Sequence, residues 1–264
     1  MASPADRGPL DPAPDGREAT LAARWRRLRD GVPPALYLLA CAVALALAAA
    51  GWVLSKVVHD DGIGRTDSGM SRWLAGERTR DLNEVTVFTS EVGGTLTVTI
   101  LAVLAVAVAA FVWRRWREPM LVAVAVAGEV GVFLLVTMLV DRGRPPVRQL
   151  DEAPPTSSFP SGHTAATIAL WGALAVLANE RARSALVRNL FLVLAFVLPL
   201  LVASSRLYRG MHYLTDVLGG FLLGGLWLAA AVRGIRLGVA HWALRHGGRE
   251  TAGRPWRRSV VGHG

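Results

Sequence analysis

Residues 157–178 read SSFPSGHTAATIALWGALAVLA. The second half of this stretch is apolar enough to lie in a bilayer, yet a Ser, a Gly and a His stand where it begins. A helix that only crosses a membrane has no use for them there. Ser161 suits the capping position of a helix, and Gly162 lets a ligand approach the backbone closely. A first helical turn also offers unpaired N–H groups and the positive end of the dipole, which together make a site for an anion. Taken alone, the same residues do no more than cap a helix and set a His in the interface. The rest of the chain has to decide between these readings.

Composition narrows the class first. The 264 residues are 52% hydrophobic and only 19% charged, and the mean hydropathy is +0.37. Those figures exclude an ordinary soluble domain. Cys41 is the sole cysteine, so there is no disulfide framework and no Cys-based metal site. A net charge of +9 in a soluble chain points to nucleic acid. Here the arginines cluster beside apolar blocks, so topology accounts for them and no nucleic-acid partner is expected. Lys56 is the only lysine, a bias towards Arg that carries no functional reading.

The apolar residues fall into six blocks, at about 35–58, 85–113, 120–140, 162–178, 187–204 and 214–232. A bilayer core takes roughly 20 mostly apolar residues per helix. The expected fold is therefore an all-α, polytopic membrane bundle of six transmembrane helices. Residues 34–232 form the membrane domain, between a disordered cytoplasmic head at 1–33 and a basic cytoplasmic tail at 233–264. The first block follows too long a polar segment for a signal peptide and reads as an uncleaved anchor. Basic knots lie at 24–29, 114–117, 181–183 with Arg188, and from Arg233 onward. Six spans put all of them on the cytoplasmic side of the plasma membrane, with both termini inside. The loops 59–84, 141–161 and 205–213 then face out. There is no internal repeat. Gly219-Gly220 and Gly224-Gly225 give the last span a small-residue face suited to tight helix packing.

The outer loops carry the polar inventory. DRGRPP occupies 141–146, PSGH follows at 160–163, and SRLYRGMHYLTD fills 205–216. His212 and Asp216 share one helical face at i, i+4. Asp216 can hold one ring N–H and leave the other nitrogen bare, as nucleophile activation requires, or the pair simply steadies a helix start. Arg144 and Arg206 can grip a phosphoryl group bidentately, or snorkel to headgroups. Two histidines, two arginines, a Ser-Gly helix start and an orienting Asp at three span ends are together what phosphoryl transfer through a histidine intermediate needs.

This pattern resembles the type 2 phosphatidic acid phosphatases, or lipid phosphate phosphatases, which share a core with vanadium haloperoxidases. The family shows a Lys six residues ahead of Arg-Pro, then PSGH, then Ser-Arg followed after five residues by His and after three more by Asp. Here Pro160-Ser161-Gly162-His163 match the second motif. Ser205-Arg206, His212 and Asp216 match the third with both gaps kept. The first motif is partial: Arg144-Pro145 are present, but Thr137 stands where the lysine is expected. The similarity covers about 82–232. It implies that His212 attacks phosphorus, that Asp216 orients it, and that His163 protonates the leaving oxygen and later deprotonates the attacking water. Arg144, Arg206, Ser161 and the Gly162 N–H would hold the equatorial oxygens, with no cofactor and no metal.

Thr137 supplies a hydrogen bond but no charge, and losing a preorganised cation costs on the order of 3 kcal/mol of transition-state stabilisation. Arg142, or less readily Arg209, is the expected compensation. Glu91 and Glu129, in or near spans two and three, are costly in lipid and pair either with arginines of the site or with hydroxyls. The reading is a lipid phosphate or prenyl diphosphate phosphatase working at the outer membrane face. Its rivals are a non-catalytic lipid-phosphate binder of the same fold and, further off, a vanadate-dependent haloperoxidase. A transporter fits less well, because the polar residues gather at one face and not at the midplane. Neither the oligomeric state nor the exact lipid is readable from these residues.

Overall fold

The computed structural model of the chain describes residues 34–57 and 61–251, and these are all helix and connecting loop. In chain order the helices are α1 (Pro34–Lys56), α2 (Gly62–Gly76), α3 (Arg80–Val92), α4 (Thr95–Trp113), α5 (Arg117–Leu139), α6 (Gly162–Arg181), α7 (Ala185–Tyr208) and α8 (Leu214–Thr251). Among the described residues, α1, α4, α5, α7 and the first part of α8, through Leu237, are long and apolar enough to cross a membrane. The largest hydrophobic side chains on their outer faces, such as Phe111, Leu186 and Phe196, are exposed. That is the pattern of a bundle whose solvent is lipid.

The fourth expected span, α6, does not share that hydropathy. It packs against α4, α5, α7 and α8, and its buried positions include Thr164 and Thr167 beside Ala165, Ala169, Leu170 and Ala173. A helix ringed by other helices need not be apolar on every face. The expected second block is two helices, because the chain turns at Gly93-Gly94 and the amphipathic α3 ends there. The loop expected at 59–84 likewise holds α2 and the start of α3. α8 runs on past Val232 to Thr251, so the expected basic tail begins as helix. The expected head at 1–33 and the tail residues 252–264 lie outside the described residues.

Two close approaches position the site. A Cβ on Gly220 would lie 2.6 Å from the carbonyl oxygen of Ser161, and one on Gly224 would lie 2.8 Å from that of Ala165. The backbones of α8 and α6 therefore touch over these turns, as the small-residue face had suggested. The Ser161 N–H donates to the Asp216 carbonyl at 2.9 Å, which fixes the start of α8 against the start of α6. At the opposite end of the bundle Glu180 accepts from Arg117 at 3.1 Å and from Arg236 at 2.9 Å. Arg181 there pairs with the buried Glu118.

Candidate active site

His212 lies in the short link between α7 and α8 and is only 4% exposed. Its Nδ1 is 2.7 Å from the carbonyl oxygen of Ser158. A carbonyl can only accept, so Nδ1 carries the proton and Nε2 is the bare nitrogen. The Ser158 carbonyl is held in place in turn. The Ser158 N–H donates to the Arg142 carbonyl and its hydroxyl to the Gly143 carbonyl, both at 2.9 Å. Burial pushes the His212 imidazole well below its ordinary range, and the charges of Arg206, Arg144 and His163 push the same way against the Ser158 bond. Those three groups thus lie within electrostatic reach of one neutral ring.

The guanidinium of Arg206, at the end of α7, donates to Ser90 Oγ at 2.8 Å and to Asp151 Oδ2 at 2.7 Å. Arg209 grips the same carboxylate through Nε, at 2.9 Å to each oxygen, and through Nη2. Its other donors reach the Asn83 and Leu150 carbonyls and the Thr86 hydroxyl. Burial raises the Asp151 carboxyl, but the Arg209 hydrogen bonds and the charges of Arg206 and Arg209 outweigh it and leave the group below its usual range. Arg144 Nη1 donates to the Met211 carbonyl at 2.7 Å; no other N–H of this guanidinium has an acceptor among the described residues. Burial lowers its pKa and Asp216 partly offsets the shift. At the start of α6, no side chain caps the first turn. No described residue hydrogen-bonds the His163 ring, whose backbone carbonyl accepts from Thr167 Oγ1 at 2.6 Å.

Four expected assignments change. Asp216 does not hold the His212 ring directly: its Oδ2 is 3.8 Å from Nδ1, and that oxygen accepts from the Tyr213 N–H at 2.8 Å. The Ser158 carbonyl sits closer and takes the ring proton. Arg142, expected to face phosphate, is buried and occupied. It pairs with Asp216, with Asp67 at 2.9 Å and with Thr215 Oγ1 at 2.8 Å, and its guanidinium lies over the Tyr213 ring. Ser161 occupies the capping position, but it is fully buried and its hydroxyl is shared with Thr164 Oγ1 at 3.0 Å. Arg209 is likewise consumed by Asp151. Thr137 bonds back to the Leu134 carbonyl at 2.9 Å and lines a cavity of about 600 Å³ together with Arg144. Glu129 is buried in α5 with neither carboxylate oxygen hydrogen-bonded to a described residue, and Glu91 is exposed.

The residues that sequence reasoning passed over are the acids and carbonyls that hold the arginines. Asp67 reaches in from α2, where its Oδ1 accepts from the Thr215 N–H at 3.2 Å and its Oδ2 pairs with Thr215 Oγ1 and Arg142. Asp151 sits between Arg206 and Arg209. Neither lies in a spacing pattern with its partner.

Residues 96–237 match the PAP2 superfamily family model. The chain belongs to the PAP2 superfamily. It is 27% identical over 173 residues to phosphatidylglycerophosphatase B of Bacillus subtilis strain 168, covering 65% of this chain and 84% of that one. The fold is similar to the crystal structure described as the first transmembrane PAP2 type phosphatidylglycerolphosphate phosphatase from Bacillus subtilis. That match has a TM-score of 0.62 and 24% identity, and covers 84% of this chain and 98% of the other. Aquifex aeolicus LpxE matches at a TM-score of 0.48 and 17% identity over 65% of this chain and 95% of its own. In this PAP2 member the family match holds Arg144, His163, Arg206, His212 and Asp216. Asp67 and Ser90 come from the two helices ahead of it.

Proposed function

We propose that this PAP2 member is a multi-pass membrane phosphatase that removes the terminal phosphate of a lipid phosphate through a phosphohistidine on His212. One observation carries the reading. The bare Nε2 belongs to a neutral imidazole whose other nitrogen is fixed by Ser158, and Arg206, Arg144 and His163 bear on that ring electrostatically. Nε2 attacks phosphorus, the P–O bond to the lipid breaks, and His163 gives its proton to the leaving oxygen. Water then attacks the phosphohistidine, His163 takes the water's proton, and the N–P bond breaks to release phosphate and regenerate His212. Arg144, Arg206 and the uncapped N–H groups opening α6 hold the three equatorial oxygens, which supplies the positive charge that phosphoryl transfer demands. The mechanism runs without a metal ion.

The bundle crosses the membrane six times in this reading, with α6 as the enclosed span. The basic end at Arg117, Arg181 and Arg236 faces the cytoplasm and the site faces out. The 600 Å³ cavity joins Leu134, Met138 and Leu139 to Arg144, Thr156 and Ser157. Such a wall suits a substrate whose tails stay in lipid while its headgroup reaches the arginines. The test is phosphate release by the purified protein in detergent, across a lipid panel that starts with phosphatidylglycerophosphate, in the presence of chelator. Turnover that persists with chelator and disappears in His212→Ala supports the reading. Full activity in His212→Ala ends it.

A further inference from the structure

A helix at the surface of a water-soluble protein turns its apolar side inward and its polar side out. α3 does the reverse. At 3.6 residues per turn, Asn83, Thr86 and Ser90 fall on one face, and that face meets the bundle. Ser90 Oγ accepts from Arg206 at 2.8 Å, Thr86 Oγ1 from Arg209 at 3.2 Å, and the Thr86 carbonyl from Ser205 Oγ at 2.7 Å. Leu82, Val85 and Phe88 make a second row, and all three are exposed, Phe88 to 74%. Apart from Asp81 in the first turn, the charges keep to a third edge, which carries Arg80, Glu84 and Glu91.

The apolar row is continuous with surface that already faces lipid. Beyond the Gly93-Gly94 turn come the exposed Leu96 and Ile100 of α4, and α7 exposes Leu200 and Leu201. The depth agrees. A Cβ on Gly93 would lie 2.6 Å from Val202 Cγ1. Val202 stands a turn and a half before the end of α7 at Tyr208, about 9 Å along the axis. The 24 residues of α7 span about 36 Å, so each end projects only about 3 Å from a hydrocarbon core of about 30 Å. α3 therefore descends past that boundary before it turns into α4.

We propose that Leu82, Val85 and Phe88 form a lipid-binding surface, occupied by acyl chains of the leaflet on the site's side of the membrane, and that this contact makes α3 a clamp on Arg206. Lipid holds the outer face of the helix, and the inner face sets the Ser90 hydroxyl against the Arg206 guanidinium. Ser90 is then a positioning residue, and its hold on Arg206 depends on the bilayer. The consequence for turnover rests on the phosphatase reading above; the lipid contact itself does not.

Cys41 is the sole cysteine, so Cys41→Ser gives a background for single spin labels. Labels on Val85→Cys, Phe88→Cys and Glu84→Cys are compared in vesicles of phosphatidylethanolamine and phosphatidylglycerol. Oxygen, which concentrates in hydrocarbon, should relax the labels at 85 and 88 more than a water-soluble nickel chelate does, and the order should reverse at 84. Nickel ahead of oxygen at 85 and 88 would put the row in water. Exclusion of both reagents would mean that protein covers it, and either result overturns the proposal. The clamp is read by lipid phosphate turnover in the same vesicles. Phe88→Glu should lower kcat/KM about tenfold, and so should Ser90→Ala, which removes one charge-assisted bond. The double variant should lose scarcely more than either single one, and Phe88→Leu should match wild type. Full turnover in Phe88→Glu, or additive losses in the double variant, overturns the clamp. The labels need no turnover, so a failure of the phosphatase reading leaves their answer distinct.

Discussion

The Nδ1 of His212 sits 2.7 Å from the carbonyl oxygen of Ser158. The loop between α5 and α6, and not a carboxylate, therefore sets the tautomer of the proposed nucleophile. Where an aspartate alone fixes a catalytic histidine, its replacement by asparagine costs about 10⁴-fold in turnover through the wrong tautomer. Here Asp216→Asn leaves the Ser158 bond intact, so kcat should drop by only about 10–10²-fold, while His212→Ala removes turnover. Steady-state assays on one lipid phosphate compare the two, and a loss near 10⁴-fold in Asp216→Asn would return the orienting role to the carboxylate.

A neutral, buried His212 also fixes the sign of a pH dependence. Its folded-state pKa lies below that of the unfolded chain, so the unfolded state binds the proton first as pH falls. The stability linked to this group is complete above about pH 6.5 and is lost below it. The melting temperature of the wild type should decline on acidification through that window more steeply than that of His212→Gln. The acid limb of kcat/KM attributable to the nucleophile should lie below pH 6.5 as well. A limb centred at or above 6.5, unmoved by substrate, would contradict the buried neutral ring.

Asp67, from an amphipathic helix ahead of the family core, meets Arg142 at 2.9 Å, and Arg142 in turn meets Asp216. These groups work as a unit. Asp67→Ala and Arg142→Ala should each lower kcat by about tenfold with little change in KM, and the double variant should lose scarcely more than either single one. Additive losses in that cycle would mean that Arg142 acts on the phosphate directly.

How far the chain could be read without its structure follows from what each residue answers to. His163, His212, Arg144 and Arg206 answer to short motifs, which place His163 and Arg206 in the first or last turn of a helix and Arg144 and His212 in the loops beside one. The apolar blocks announce the lipid-facing helices for the same reason. Arg142 and Asp151 answer to long-range partners. Arg142 meets residues 67 and 216, and Asp151 meets 206 and 209, distances in sequence at which no periodicity speaks. The shift of the His212 proton from Asp216 to Ser158 turns on about 1 Å of loop geometry, which spacing along a helix cannot carry. α6 shows the same limit at the level of the fold: its apolar block is legible, but the hydroxyls of Thr164 and Thr167 that it buries among other helices leave it short of the hydropathy of the lipid-facing spans.

Asp151 should reveal itself by a split between stability and affinity. Its carboxylate joins Arg206 and Arg209, two guanidiniums that are each 4% exposed. Asp151→Asn leaves both without their counter-charge, at a cost of about 3 kcal/mol in stability. The same change frees the Arg206 Nη1 that Asp151 shares with Ser90, so orthophosphate no longer competes with a carboxylate. The melting temperature should fall by several degrees while the inhibition constant for orthophosphate tightens. Weaker orthophosphate inhibition alongside lost stability would show that Asp151 aids the anion site instead of competing with it.

The contact between α6 and α8 can be tested with two glycines in one helix. At Gly220 a new methyl meets the Ser161 carbonyl oxygen at 2.6 Å, whereas at Gly225 nothing lies within 4 Å. In open space Gly→Ala stabilises a helix by up to about 1 kcal/mol. The Ser161 carbonyl belongs to the backbone and cannot rotate aside, so Gly220→Ala must push the two helices apart just where the Ser161 N–H meets the Asp216 carbonyl. Gly225→Ala should hold or raise the melting temperature with turnover intact. Gly220→Ala should lower it and cut kcat by an order of magnitude or more, because His163 and His212 sit on the two sides of that seam. Equal behaviour of the two variants would mean that the helices do not approach as closely as the Ser161–Gly220 contact requires.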